Sequence, residues 1–305
     1  MALLRSGSSL LRLGGSGMRR RGGSLTFVEN AVNSYEYGSM SSLPDGFGDG
    51  EFTLTIFFKC LSNGTYTLGD VTGGGLAQRQ LWSNSNPTRY GSASWWYNGN
   101  FLLDGHNNSA FYDGTFSIQI ANGRPRWLFG DGAAANALTG DLWGIQSTAT
   151  NTVLDNAWHQ LDCVRRNSGG SSSDLELWLD GSLQDTQTTT SRTNMATTYW
   201  DGWSGFGVNA GWGWGSEKQA ALNTISQWED FKGQLGEIRF WSIARDSADL
   251  AVPFRAVSGT ESGLVGLYSF GEGSGSTIRN ALTPNSSVGQ ISLTNSPAWS
   301  TDRVV

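Results

Sequence analysis

Asn156-Ala-Trp-His-Gln-Leu-Asp-Cys-Val-Arg-Arg166 and, after a short polar stretch, Leu175-Glu-Leu-Trp-Leu-Asp-Gly-Ser-Leu183 read as two neighbouring strands of a β-sandwich. Leu175, Leu177 and Leu179 alternate with Glu176, Trp178 and Asp180. Successive side chains on a strand point to opposite faces, so this period of two places an apolar row on one face only. Asp180-Gly181 then closes the strand with a residue pair that accepts the positive φ of a tight hairpin turn.

The remainder of the 305-residue chain extends this pattern. Its 42 glycines, three lysines and ten Asn-Gly or Asp-Gly pairs predict many short strands joined by tight turns, with no long helix. Fourteen Trp and 14 Phe supply the core, since each large ring can bury roughly 150–250 Å². Stability therefore does not call for disulfides. All-β sandwiches often exceed 200 residues as one unit, and no apolar run in this sequence is long enough to span a bilayer as a helix.

The hairpin resembles that of laminin-G-like, concanavalin A-like lectin-glucanase and pentraxin-type sandwiches, and further pieces follow in the family's order. Residues 24 to 37 are similar to the opening strand pair, and residues 50 to 59, Gly-Glu-Phe-Thr-Leu-Thr-Ile-Phe-Phe-Lys, to the long strand after it. Phe206-Gly-Val-Asn-Ala210 stands where the family has a late core strand. Lys232-Gly-Gln-Leu-Gly-Glu-Ile-Arg-Phe-Trp-Ser-Ile-Ala-Arg-Asp246 resembles the closing strand and the short helical step behind it, with Gly236 and then Glu237 where an acidic residue usually follows the first apolar one. Residues 263 to 277 are similar to the sequence that trails such domains. The resemblance implies an all-β fold, a two-sheet antiparallel jelly-roll-like sandwich with an extended N-terminal arm. The expected organisation is an arm over 1–23, a sandwich over 24–250 and a C-terminal extension over 251–305 packed on it.

The resemblance also implies a disulfide between the strand after the opening pair and the Trp-His strand, where Cys60 and Cys163 lie. Cys60 falls at the far end of its strand, past the position the family bridges, and a bridge needs Cα atoms roughly 4.4–6.8 Å apart. Two unbridged thiols are therefore expected. Related glucanases carry Glu-x-Asp-x-x-Glu on one strand, a spacing absent here, where Glu229 and Asp230 are merely adjacent. His106 and His159 are too few for a zinc site, and His159 matches a position that serves structure in the family. There is no Gly-x-Ser-x-Gly elbow and no phosphate loop before a helix. No enzymatic activity and no cofactor are expected. Calcium, which the family often binds through loop oxygens, would draw on Asp45, Asp49, Asp70 or Asp201, none in the ordered spacing of a calcium loop.

Two features bear on partners. Residues 1–23 hold Arg5, Arg12, Arg19, Arg20 and Arg21 and no acid, together with Leu10 and Leu11, whereas the rest of the chain has 15 basic against 26 acidic residues. That polarity predicts an arm docking on an acidic protein surface, the alternative being a Gly/Ser/Arg tail, and an acidic body opposes nucleic acid. Trp200, Trp203, Trp212 and Trp214 sit in a Gly-rich run, and Trp95 and Trp96 precede an Asn-Gly turn. Such aromatics either stack on sugar rings or pack at strand and subunit interfaces. Residues 1–23 show no secretory signal. The reading expected from these features is a structural subunit of a large assembly such as a bacteriophage virion, a head decoration or fibre-like protein assembled in a host cytoplasm, with other protein subunits as partners. The alternative is an extracellular carbohydrate-binding or adhesion module.

Overall fold

The computed structural model describes residues 23–27, 37–40, 43–48, 50–60, 100–104, 116–121, 123–130, 142–147, 153–169, 172–189, 206–209, 231, 233–287, 289–294, 297–302 and 304. Among these residues sixteen strands run in sequence order as β1 (Ser24–Phe27), β2 (Tyr37–Met40), β3 (Phe52–Cys60), β4 (Asn100–Asp104), β5 (Phe116–Ala121), β6 (Arg124–Gly130), β7 (Leu142–Gln146), β8 (His159–Gly169), β9 (Ser172–Leu179), β10 (Ser182–Thr189), β11 (Phe206–Asn209), β12 (Gly233–Trp241), β13 (Leu264–Tyr268), β14 (Thr277–Ile278), β15 (Ile291–Thr294) and β16 (Ala298–Ser300). Their one helical companion among the described residues is a single turn, α1 (Ser247–Leu250). The sandwich expected from the sequence is what forms. One antiparallel sheet has the order β10-β9-β8-β3-β12-β1-β16, with β13 also on β12. The other has the order β14-β15-β2-β11-β4-β5-β6-β7.

Residues after 250 enter both sheets. β13 pairs with β12, β16 with β1, and β15 with β2, so the chain's last strands lie beside its first ones. A five-residue strand such as Leu264–Tyr268 has too few partners for a core of its own and reaches stability by joining an existing ladder.

The quoted hairpin is built as its sequence dictates. Asp180 and Gly181 both take positive φ, 48° and 80°, which matches the twist of the flanking strands. Leu175, Leu177 and Leu179 face the interior, and β8 supplies Leu161 and Cys163 to the same layer. Between the sheets, Phe47 lies 4.8 Å from Phe52 and 4.9 Å from Phe240, while Phe52 reaches Trp127 of the opposite sheet at 6.0 Å. The tilted and edge-on arrangements suit ring quadrupoles and add to the area buried. Cys163 is opposite Leu54, and Cys60 lies beyond the Phe58–His159 end of that ladder. No disulfide joins the two, and both are buried, as expected.

The unusual Gly236-Glu237 pair also finds its reason. Leu235 is opposite Phe58 and Ile238 opposite Ile56, so two residues of β12 share the space across from Phe57. That is a β-bulge. Glu237 thereby lies beside Arg239, Oε1 at 2.5 Å from its guanidinium, and a Cβ on Gly236 would come within 2.8 Å of a Val304 methyl and 3.1 Å of the Trp158 ring.

Just before the bulge, Gly233 has no room at all. A Cβ there would sit 2.2 Å from the Lys59 carbonyl oxygen and 2.6 Å from the Phe231 ring. Backbone in a ladder cannot retreat as a flexible side chain can. Gly233→Ala is expected to destabilise the protein by about 3 kcal/mol, the upper end of overpacking costs. Gly236→Ala, pressing on a Val304 methyl and the Trp158 ring rather than on ladder backbone, should cost less. Urea unfolding midpoints of the two variants check the order, and equal midpoints would contradict it.

Candidate functional site

The outer face of the first sheet is not a water-facing surface. Thr55, Gln160, Asp162 and Arg239 on β3, β8 and β12 point away from the leucine-rich core and are nevertheless buried. What covers them is residues 242–257, a strap that includes α1. Asp162, wholly buried, accepts a hydrogen bond from Thr55 Oγ1 at 2.5 Å and from Gln160 Nε2 at 2.7 Å. Gln160 Oε1 in turn accepts the Phe254 N–H at 2.6 Å. Burial pushes the Asp162 carboxyl above its usual range, against the lowering influence of those two bonds and of Arg245 and Arg239.

Further along, Arg166 is held by Glu176, Nε to Oε1 at 2.6 Å, and donates to the carbonyls of Ala244 and Arg245. Trp178 Nε1 donates to the same Glu176 at 2.9 Å. Arg239 donates to the Arg255 carbonyl at 2.8 Å. The strap is therefore pinned through its own backbone groups by side chains rising from the sheet.

Where the strap meets residues 255–262 a cleft of about 350 Å³ opens. Trp241, Ile243, Arg245, Asp246, Asp249 and Glu261 are among its walls, with Arg239 and Arg255. The Arg245 guanidinium lies over the Trp241 ring, 4.5 Å from its centroid. Burial lowers the Arg245 pKa, opposed by Asp162 and Asp249. Asp249 is 3.0 Å from Arg255 and 3.7 Å from Arg245. Burial acts to raise the Glu261 pKa, yet the Ser258 N–H and hydroxyl and the Gly259 N–H outweigh it and hold the carboxyl at about 2. Glu261 is thus an anion at any physiological pH.

At the opposite end of the hairpin, His159 is 7% exposed. Its Nδ1 is 2.7 Å from Asp180 Oδ2 and its Nε2 3.0 Å from Asp155 Oδ1. A neutral imidazole has one N–H and could serve only one carboxylate, so both contacts are good only in the imidazolium. Burial acts to lower the His159 pKa, but the Asp180 and Asp155 bonds prevail and raise it. Here His159 serves structure, as the sequence implied: it ties the loop entering β8 to the hairpin turn.

Several sequence candidates lie outside the described residues: Trp95, Trp96, Trp200, Trp203, Trp212 and Trp214, and the arm residues Arg5, Leu10, Leu11, Arg12, Arg19, Arg20 and Arg21. Of the calcium candidates, Asp45 is described and exposed, whereas Asp49, Asp70 and Asp201 fall outside. Among the described residues no group of three or more His, Cys, Asp or Glu is placed to hold a metal ion, and no helix is long and apolar enough to cross a membrane. The cleft residues escaped sequence reading. Arg239 and Trp241 look like an ordinary solvent-facing row of a strand, and only the strap laid over that face turns them into the wall of a recess.

No protein-family model matches the sequence, and no curated protein matches it. Solved structures do. A Bacteroides ovatus protein described provisionally as carbohydrate-binding superposes with a TM-score of 0.51 at 14% identity, over 92% of this chain and 60% of that one. The fold is that of the concanavalin A-like, laminin-G-like β-sandwiches. A native heptameric SAP-like pentraxin from Limulus polyphemus is also similar, with a TM-score of 0.43 and 9% identity over 78% of this chain and 85% of that one. So is CBM40 of the Ruminococcus gnavus IT-sialidase bound to α2,3-sialyllactose, with a TM-score of 0.40 and 12% identity over 75% of this chain and 98% of that one. This sandwich thus spans 60% of the length of the first of these structures.

The imidazolium tie has a pH signature. Because the folded-state pKa of His159 is raised, its stabilising contribution is complete below the unfolded value of about 6.5 and is lost as pH rises through the folded value. The thermal midpoint of the wild type should therefore fall over that rise, and the fall should be missing in His159→Gln. A wild-type and variant difference that stays constant from pH 5 to pH 9 would refute the tie.

Proposed function

We propose that this protein is a non-catalytic carbohydrate-binding or adhesion module. The observation that carries the reading is the cleft on the strapped face: guanidinium, indole and carboxylate groups meet in one recess of a concanavalin A-like sandwich. Hydroxyl-rich ligands are recognised by a few convergent donors and acceptors beside an apolar contact. The provisional description of the Bacteroides ovatus protein supports the same class. The Trp-rich stretches at 95–96 and 200–214 remain proposed glycan or interface contacts on the same module.

Absence of catalysis is part of the proposal. Asp162, the one described carboxyl whose pKa stands raised, is sealed under the strap by Thr55 and Gln160 and is not among the walls of this cleft. A general acid needs both a raised pKa and access to its substrate. The carboxylates that do reach the cleft include Glu261, held near pKa 2 and unsuited to donate a proton.

The virion reading rested on the basic arm, and neither the sheets nor the comparisons add support to it. A glycan array probed with the intact chain, run beside size measurement in solution, separates the two. Retention of neutral or complex glycans by a protein of discrete size is the expected result. Large assemblies that retain no glycan would return the structural-subunit reading to first place.

A further inference from the structure

The free hydrogen-bonding groups of the cleft indicate what it takes. Among the described residues the Asp246 carboxylate has no hydrogen-bond or ionic partner. Among the described residues the Arg245 guanidinium has its Trp241 stack, the 3.7 Å approach of Asp249 and the charge of the buried Asp162, but no side-chain hydrogen bond. Trp241 is 3% exposed, and its buried Nε1–H meets no acceptor. A buried indole N–H without a partner is costly, and because it is closed to solvent it is not itself a contact point for a ligand in the cleft. The other charges are already engaged: Arg239 by Glu237, Arg255 by Asp249, and Glu261 by the Ser258–Gly259 backbone.

Stacking of a sugar on an exposed indole face is not available here, because Arg245 covers Trp241. The apolar contact that remains is Ile243, 39% exposed on the cleft wall and seated against Gly263, where a Cβ would come within 2.7 Å of it. One acceptor-only carboxylate, one donor-only guanidinium and a partly bare aliphatic side chain match a saccharide edge, with adjacent hydroxyls on one side and C–H groups on the other. The sign of the field is also fixed. Three arginines line the cleft against Asp246, Asp249 and Glu261, and Glu237 stands behind Arg239. The balance is neutral to slightly acidic, which disfavours an anion.

We infer that the cleft between the strap and residues 255–262 binds an uncharged saccharide through vicinal hydroxyls, Asp246 accepting and Arg245 donating, with Ile243 against the ring carbons. This rests on the carbohydrate-binding reading.

The test uses the full-length chain and the methyl glycosides of glucose, galactose and mannose beside glucuronic acid, with saturation-transfer NMR for detection and titration for affinity. Asp246→Asn removes the acceptor charge at an exposed position where the side chain makes no capping hydrogen bond, so α1 loses no contact. It should weaken the neutral probe about tenfold or more, the usual loss for a charge-assisted hydrogen bond. Ile243→Ser should weaken it as well, with unfolding midpoints near wild type. Binding of a neutral probe that both variants leave unchanged overturns the assignment of the cleft while the module reading stands. Binding of glucuronic acid in preference to the neutral glycosides overturns the ligand class. If no saccharide binds to the wild type at all, the module reading fails and this inference fails with it.

Discussion

Everything in this sandwich depends on β3 and β12 being buried on both faces. Along β3 the residues Phe52, Leu54, Ile56 and Phe58 fill the space between the sheets, while Thr53, Thr55 and Phe57 lie under the strap. An antiparallel sheet ordinarily shows one face to water. Here the second face is closed, so each polar atom on it needs a partner inside the protein. Asp162 shows how tight the accounting is: its two oxygens take Thr55 and Gln160, and Gln160 has its own carbonyl occupied by Phe254 N–H. Removing any member leaves another orphaned at about 1–3 kcal/mol. Phe254 itself sits at φ 58°, a conformation a bulky residue adopts only when its surroundings insist.

The same double burial explains what could and could not be read from the sequence. Period-two alternation in Leu175–Leu179 identified the strand and its inward face, and Asp180-Gly181 identified the turn. These are local signals, fixed by the geometry of one strand and two residues. The alternation was silent on the fate of the polar face. Glu176, Asp162 and Arg239 read as solvated residues, yet they are half-buried or buried beneath residues 70 or more positions away or from a following segment. Nothing in a strand's own pattern shows that a distant irregular segment will lie across it.

The trailing sequence gives a related lesson. Leu264–Tyr268 pairs with β12, but strand pairing is long-range information. That Ala298–Ser300 returns to Ser24–Thr26, and Ile291–Thr294 to Tyr37–Met40, follows from which edges the earlier strands leave open. The resemblance to known sandwiches did carry long-range information, since it predicted the Cys163 neighbourhood and therefore that Cys60 lies too far along β3 to reach it. The cleft was the least legible feature, since its walls come from β12, the strap and residues 255–262, which only the folded topology juxtaposes.

Polarity in that cleft follows from the way the strap is fastened. Apart from α1, residues 242–257 are irregular, and an irregular segment cannot satisfy its own backbone. Its groups are met one by one from the sheet: Thr53 Oγ1 donates to Ile243 O at 3.0 Å and accepts Arg245 N–H at 2.9 Å, Arg166 reaches Ala244 and Arg245, and Arg239 reaches Arg255. An apolar sheet face would orphan these amides and carbonyls, so the face must be polar wherever the strap touches it. Trp241 is the point where this polar fastening gives way to the apolar cluster of Val257, Leu264 and Leu267. The recess opens at that seam, with a guanidinium on one face of the indole and aliphatic packing nearby. A ligand with hydroxyls on one edge and carbon on the other reproduces, outside the protein, the same transition that the fold makes within it.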